Sequence, residues 1–136
     1  MRDESGLSLV ELLIMVLTIG ILTSSGYVTF SQGNISLRAK AEQFAQDIRY
    51  AQTLAMNRGA SYQVNVNGSS YTITTSADTA GLLSQATLSG VTIGGTYPIV
   101  FNGLGQPTNA GVKTLTTGNQ TISINVRAES GSVVVP

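Results

Sequence analysis

Residues 5–30 read SGLSLVELLIMVLTIGILTSSGYVTF. An apolar run begins at Leu7, and Glu11 is the only charge inside it; the next charged residue is Arg38. A carboxylate at membrane depth costs roughly 2.5–3.5 kcal/mol even on lenient insertion scales, so one retained there points to a function. Residues 7–30 are 24 in number and, as a helix rising about 1.5 Å per residue, would be long enough to cross a bilayer core. The first part is rich in Leu, Ile, Val and Met. The second, TSSGYVTF, is more polar and carries Gly26.

Three readings of this segment compete. A conventional cleaved signal peptide needs a basic start and an uninterrupted apolar stretch. Here Arg2 is outnumbered by Asp3 and Glu4, and Glu11 interrupts the run. A plain single-pass anchor leaves Glu11 at the membrane interface with no role. The third reading rests on spacing. The string SGLSLVELL resembles the prepilin cleavage motif of type IV pilins and type II secretion pseudopilins, in which a short polar leader ends in Gly and Glu stands fifth after the cut. Gly6 would end the leader (residues 1–6), Leu7 would become the new N-terminus, and Glu11 is fifth. The resemblance implies cleavage by a prepilin peptidase between Gly6 and Leu7, with N-methylation of Leu7. Two positions depart from the family pattern. Leu7 stands where Phe is usual, and Val28 stands where Pro is frequent, with Gly26 and Gly33 as alternative sources of flexibility. In a packed filament, the new amino terminus of one subunit meets the Glu11 carboxylate of a neighbour, and pairing offsets part of the desolvation each suffers. Glu11 is then an assembly residue that sets axial register.

Composition narrows the chemistry. The chain has 136 residues, 42% hydrophobic and 10% charged, with formal net charge zero. That suits one domain plus a tail and advertises no strongly charged partner. With neither cysteine nor histidine in the chain, thiolate zinc sites, disulfide scaffolds, cysteine nucleophiles and Ser-His-Asp triads are excluded. The reading is therefore of a non-enzyme, with no metal and no cofactor.

Beyond the apolar run the period changes. Leu37, Ala41, Phe44, Ile48, Ala51 and Ala55 recur at three- and four-residue spacings, the stripe of an amphipathic helix packed on a sheet. Arg58-Gly59 is a suitable stop. This helix is assigned to residues 31–59. Its end, QDIRYAQTLAMNRGA, resembles the corresponding part of minor pseudopilins of the GspH/FimT type.

From Ala60 the period becomes two. Tyr62, Val64 and Val66 alternate with polar residues, Asn67-Gly68 follows, and Tyr71 and Ile73 return, which predicts a hairpin. Residues 76–90 read as a polar loop with a short apolar patch at Leu82-Leu83. Strands are expected at VTI, PIVF, VKTLT, TISINVR and SVVV. The expectation is an antiparallel β head over residues 60–136, as one sheet or two, and hence an α+β, pilin-like fold with a long N-terminal transmembrane plus amphipathic helix packed on it. YPIVFNGLGQP and TISINVRAESGSVVV also resemble the GspH/FimT pattern.

Other constellations carry less. NGLGQP lacks the Lys-Ser/Thr of a phosphate loop and reads as a turn. Asp78 and Glu129 are isolated acids, too few for a calcium site. Asn34, Asn67 and Asn119 begin N-x-S/T triplets, which carry no meaning at a bacterial inner membrane. Some minor pilins of the resembled family bind DNA through basic residues near the C-terminus. Lys113 and Arg127 are the bases available for that alternative, with Glu129 adjacent, whereas phosphate binding gathers several bases on one face. The resemblance implies a bacterial inner-membrane, single-pass subunit with a periplasmic head, incorporated into a pilus or pseudopilus. Its implied partners are other pilins or pseudopilins, the prepilin peptidase, the membrane platform and its ATPase.

Overall fold

The computed structural model describes residues 8–24, 32–78 and 81–136. The chain divides into two compact units, Met1–Gln32 and Gly33–Pro136.

The first unit contains helix α1, Leu9–Ser24. The Ser8 carbonyl accepts hydrogen bonds from the backbone N–H of Glu11 (2.8 Å) and of Leu12 (3.1 Å), so the helix starts at Ser8 with Glu11 in its first turn. A negative charge there is favoured by the unpaired N–H groups of the helix start. The α1 residues number 16, about 24 Å at the usual rise per residue. The expected transmembrane span, residues 7–30, extends beyond the described residues at both ends; among the described residues no helix is long and apolar enough to cross a membrane. Residues 25–31, including Gly26 and Val28, lie outside the described residues.

The second unit is α+β. Helix α2, Gln32–Arg58, is followed by strands β1 (Tyr62–Asn67), β2 (Ser70–Thr75), β3 (Leu82–Thr87), β4 (Thr92–Gly94), β5 (Ile99–Phe101), β6 (Gly111–Thr117), β7 (Gln120–Val126) and β8 (Val133–Val134). They form two antiparallel four-stranded sheets, ordered β3-β2-β1-β5 and β4-β6-β7-β8. The hairpin expected at Asn67-Gly68 is present one residue further on. Asn67 pairs with Ser70, so Gly68 and Ser69 form the turn, and Gly68 takes the left-handed φ of +63° that glycine adopts without strain.

One expectation fails. Residues 82–87, read as part of a polar loop, form β3. Leu-Leu-Ser-Gln-Ala-Thr has neither strict alternation nor β-branched enrichment, and its strand state comes from pairing with β2.

All six residues of the helical stripe are buried, together with Ala45. They meet Tyr62, Val64, Tyr71, Ile73, Ile99 and Phe101 of the first sheet and Leu115, Ile124, Val126 and Val133 of the second in one cluster. The alanines keep the helix surface low, so Phe44 and Ile48 fill the space between helix and strands. Phe44 meets Tyr71 edge-on, with centroids 4.8 Å apart and planes at 61°. Every buried hydrophobic side chain among the described residues lies between Leu37 and Val133, so the head carries its own core.

Polar side chains of α2 fasten it further. The Tyr71 hydroxyl donates a short bond to Asp47 Oδ2. Lys40 Nζ donates to the Ser89 carbonyl (2.6 Å) and Arg49 Nη2 to that of Val133 (2.7 Å). Gln52 Nε2 donates to the carbonyls of Gly105 (2.9 Å) and Ser130 (2.7 Å). Replacing Tyr71 with Phe keeps the ring but leaves the half-buried Asp47 short of a donor. A loss of about 1–3 kcal/mol is expected, read as a lower melting temperature of the head by circular dichroism. Phe44→Ala should cost more, about 3–5 kcal/mol.

Candidate functional site

Two regions compete for functional attention, α1 and the C-terminal part of the head. Along residues 9–19 of α1 the apolar side chains point outward on every side. Leu9 is 86% exposed, and Val10, Leu12, Leu13, Ile14, Met15, Val16, Leu17 and Ile19 are each more than half exposed. A helix apolar all round belongs in a bundle or a membrane, where each face meets apolar neighbours. Its one mid-helix hydroxyl is prepared for such a place. Thr18 Oγ1 donates within the helix, lying 3.0 Å from the Ile14 carbonyl and 2.9 Å from that of Met15. Glu11, exposed in the first turn, is different: its carboxylate needs a donor or a cation when the surrounding surface is covered. Gly6 and Leu7, the expected processing residues, lie outside the described residues.

The two bases near the C-terminus are not brought together at a surface. Lys113 is 1% exposed. It lies on β6 in alternation with Leu115, pointing inward. Its Nζ donates to the carbonyls of Thr96 (2.8 Å) and Asn109 (2.6 Å) and sits 5.1 Å from the centroid of the Tyr97 ring. Burial lowers the Lys113 pKa from its ordinary value, because the charged form loses hydration. Gly95 makes room for the stem, since a Cβ there would lie 2.8 Å from Lys113 Cδ. The expectation that Lys113 contacts DNA is therefore corrected: a phosphate needs an accessible ammonium, and this one is enclosed. The alternation Lys113-x-Leu115 was the available sequence signal for an inward lysine.

Arg127 is exposed in the turn after β7, where its N–H donates to the Ser132 carbonyl (3.0 Å). With Glu129, Asn125 and Ser130 it lines an open depression of about 800 Å³. One base and one acid there do not make a phosphate trap. Among the described residues, no group of three or more Asp or Glu side chains is placed to hold a metal ion.

Residues 40–132 match the family model described as type II transport protein GspH, which is more than half of the chain. The chain belongs to the GspH family. No curated protein matches it. Its fold is similar to that of the type IV minor pilin FimU of Pseudomonas aeruginosa, with a TM-score of 0.65 at 14% identity, covering 79% of this chain and 92% of that one. It is also similar to the minor pseudopilin EpsH from the Type 2 Secretion System of Vibrio cholerae, with a TM-score of 0.56 at 16% identity, covering 74% and 96%. At these identities the likeness shows the fold. Family and fold together place the chain among structural pilin and pseudopilin subunits rather than enzymes.

The two arginine and lysine positions should separate on mutation. Lys113→Ala leaves two carbonyls without their donor and opens a void, so the melting temperature of the head should fall by the equivalent of about 2–4 kcal/mol, whereas Arg127→Ala should stay within about 0.5 kcal/mol. Burial also raises the pKa of Tyr97, and burial followed by the Asp47 hydrogen bond raises that of Tyr71. A raised phenol pKa contributes stability that is complete below the unfolded value, about 10, and is lost as pH rises above it. Urea melts of the head should therefore weaken above about pH 10, and Tyr97→Phe should make that decline shallower.

Proposed function

We propose that this chain is a minor pilin or pseudopilin that acts by assembly. It is made as a precursor, cut between Gly6 and Leu7 by a prepilin peptidase, and methylated on the Leu7 amine. Residues 7–30 hold it in the inner membrane with the β head in the periplasm. A platform and ATPase then draw it into a short filament with other subunits. The observation that supports this reading is the combination in α1 of apolar surface on every side with a single carboxylate in the first turn.

The physical logic follows from those two properties. An apolar helix packs among similar helices through shape and dispersion, which leaves its axial position weakly specified. Glu11 supplies the missing specification. In any register that leaves it without a cation, a buried charge stands unpaired, and breaking such a pair costs about 3–5 kcal/mol. A free amine at Leu7 of a neighbouring subunit is a cation of the right kind, because cleavage creates it at the head of the same apolar segment. GspH family membership and the minor pilin and minor pseudopilin neighbours support the class of assembly.

Mass spectrometry of the mature N-terminus tests the processing step. A chain starting at methylated Leu7 is expected, and one starting near Gly26 would replace this reading with conventional signal cleavage. Glu11→Ala tests the assembly step. The variant should fold and reach the membrane yet enter filaments on the order of a hundredfold less well. Incorporation at the wild-type level would remove Glu11 from the mechanism.

A further inference from the structure

The two sheets have four outer edges, and three are blunted. The flank of β5 is occupied by the following loop: the Thr108 N–H donates to the Val100 carbonyl (2.8 Å), and Pro107 bridges to Phe101. Strand β4 has only 3 residues, and the N–H of its Ile93 donates to the Gly68 carbonyl (3.1 Å). Strand β8 has only 2 residues. The fourth edge, β3, is 6 residues long and pairs with β2 alone among the described strands. Edge strands are normally protected by charge, proline, shortness or a bulge. No charged residue occurs anywhere from Gly81 to Val112, and β3 has no proline.

A bulge is present, and its position leaves the edge open. The pairing skips from Ile73–Ser84 to Thr74–Leu82, so Leu83 is the extra residue. Leu82 and Leu83 end up 51% and 43% exposed. From Ser84 to Thr87 the strand is regular, opposite Ile73 to Ser70. The outer flank of this stretch is a row of backbone donors and acceptors suited to another extended strand.

We infer that β3 is a pairing edge for β3 of a second copy of this chain, joined antiparallel about a two-fold axis at Gln85. Charge and symmetry select that occupant. An axis perpendicular to the sheet keeps the outer face outer, so Gln85 of one copy stands opposite Gln85 of the other, and Ser84 opposite Ala86. The primary amide is both donor and acceptor, and is therefore its own complement. An uncharged edge meets its copy without like-charge repulsion. The exposed leucines flank the junction at both ends. Four strands from each copy then form a continuous sheet of eight, β5-β1-β2-β3-β3-β2-β1-β5. Pairing one short strand buries less than the roughly 1,200 Å² of a standard interface, so the contact is weak in dilute solution. It becomes effective where copies are held at high local concentration on one membrane. The inference does not depend on which filament the chain enters.

Sedimentation of the head, residues 33–136, which contains the whole described core, should show monomers giving way to dimers as concentration rises. Gln85→Lys and Gln85→Glu, at an exposed position, should each weaken the dimer about tenfold or more with unchanged melting temperature, because like charges then face across the axis. An equimolar mixture of the two variants should restore it. In the otherwise cysteine-free full chain, Gln85→Cys should form a disulfide-linked dimer under mild oxidation. A head that stays monomeric up to millimolar concentration overturns the inference. So does a dimer that both charge variants leave unchanged, since its contact would lie elsewhere.

Discussion

The head depends on one contact, the burial of the α2 stripe against both sheets at once. Neither sheet closes a core by itself: β5 and β4 have 3 residues each and β8 has 2. The stripe from Leu37 to Ala55 unites them, and Phe44 against Tyr71 is its centre. The polar tethers of the same helix reach the loops at Ser89, Gly105 and Ser130 and the short strand β8 at Val133. Lys40 and Gln52 thus satisfy carbonyls in turns outside the ladders, as backbone acceptors require.

Much of this was legible in the sequence, because periodicity reports burial directly. Spacings of three and four locate all six stripe residues, and alternation around Asn67-Gly68 locates the first hairpin. Residues 82–87 escaped because Leu-Leu-Ser-Gln-Ala-Thr has no period, its strand state being imposed by β2. Lys113 escaped for another reason. A lysine near the C-terminus reads as surface, yet two loop carbonyls and an aromatic ring give its ammonium what water would. The tether residues Asp47 and Gln52 were placed on the helix, but their partners lie 24 to 78 positions away, a relation no local pattern contains. Glu11 was singled out for its loneliness among apolar residues, and the structure adds its place in the first turn of an exposed apolar helix.

The two units divide the physics between them. In the described part of α1, Thr18 bonds within the helix, Glu11 is exposed, and the apolar side chains lie open. In the head most large apolar side chains are used internally, and the exposed positions of the strands are mostly uncharged, with Leu82, Leu83, Val112 and Val134 exposed among them. Such a surface is soluble without strong fields, so contacts on it are decided by shape and hydrogen-bond pattern more than by long-range attraction.

The arrangement of the α2 tethers has a mechanical corollary. A pull arriving at Gln32 along the helix axis would load Lys40, Asp47, Arg49, Gln52 and the apolar stripe side by side, in shear. Contacts sheared in parallel must yield together, whereas contacts peeled from one end yield in turn. Under such a load the head would resist being unzipped.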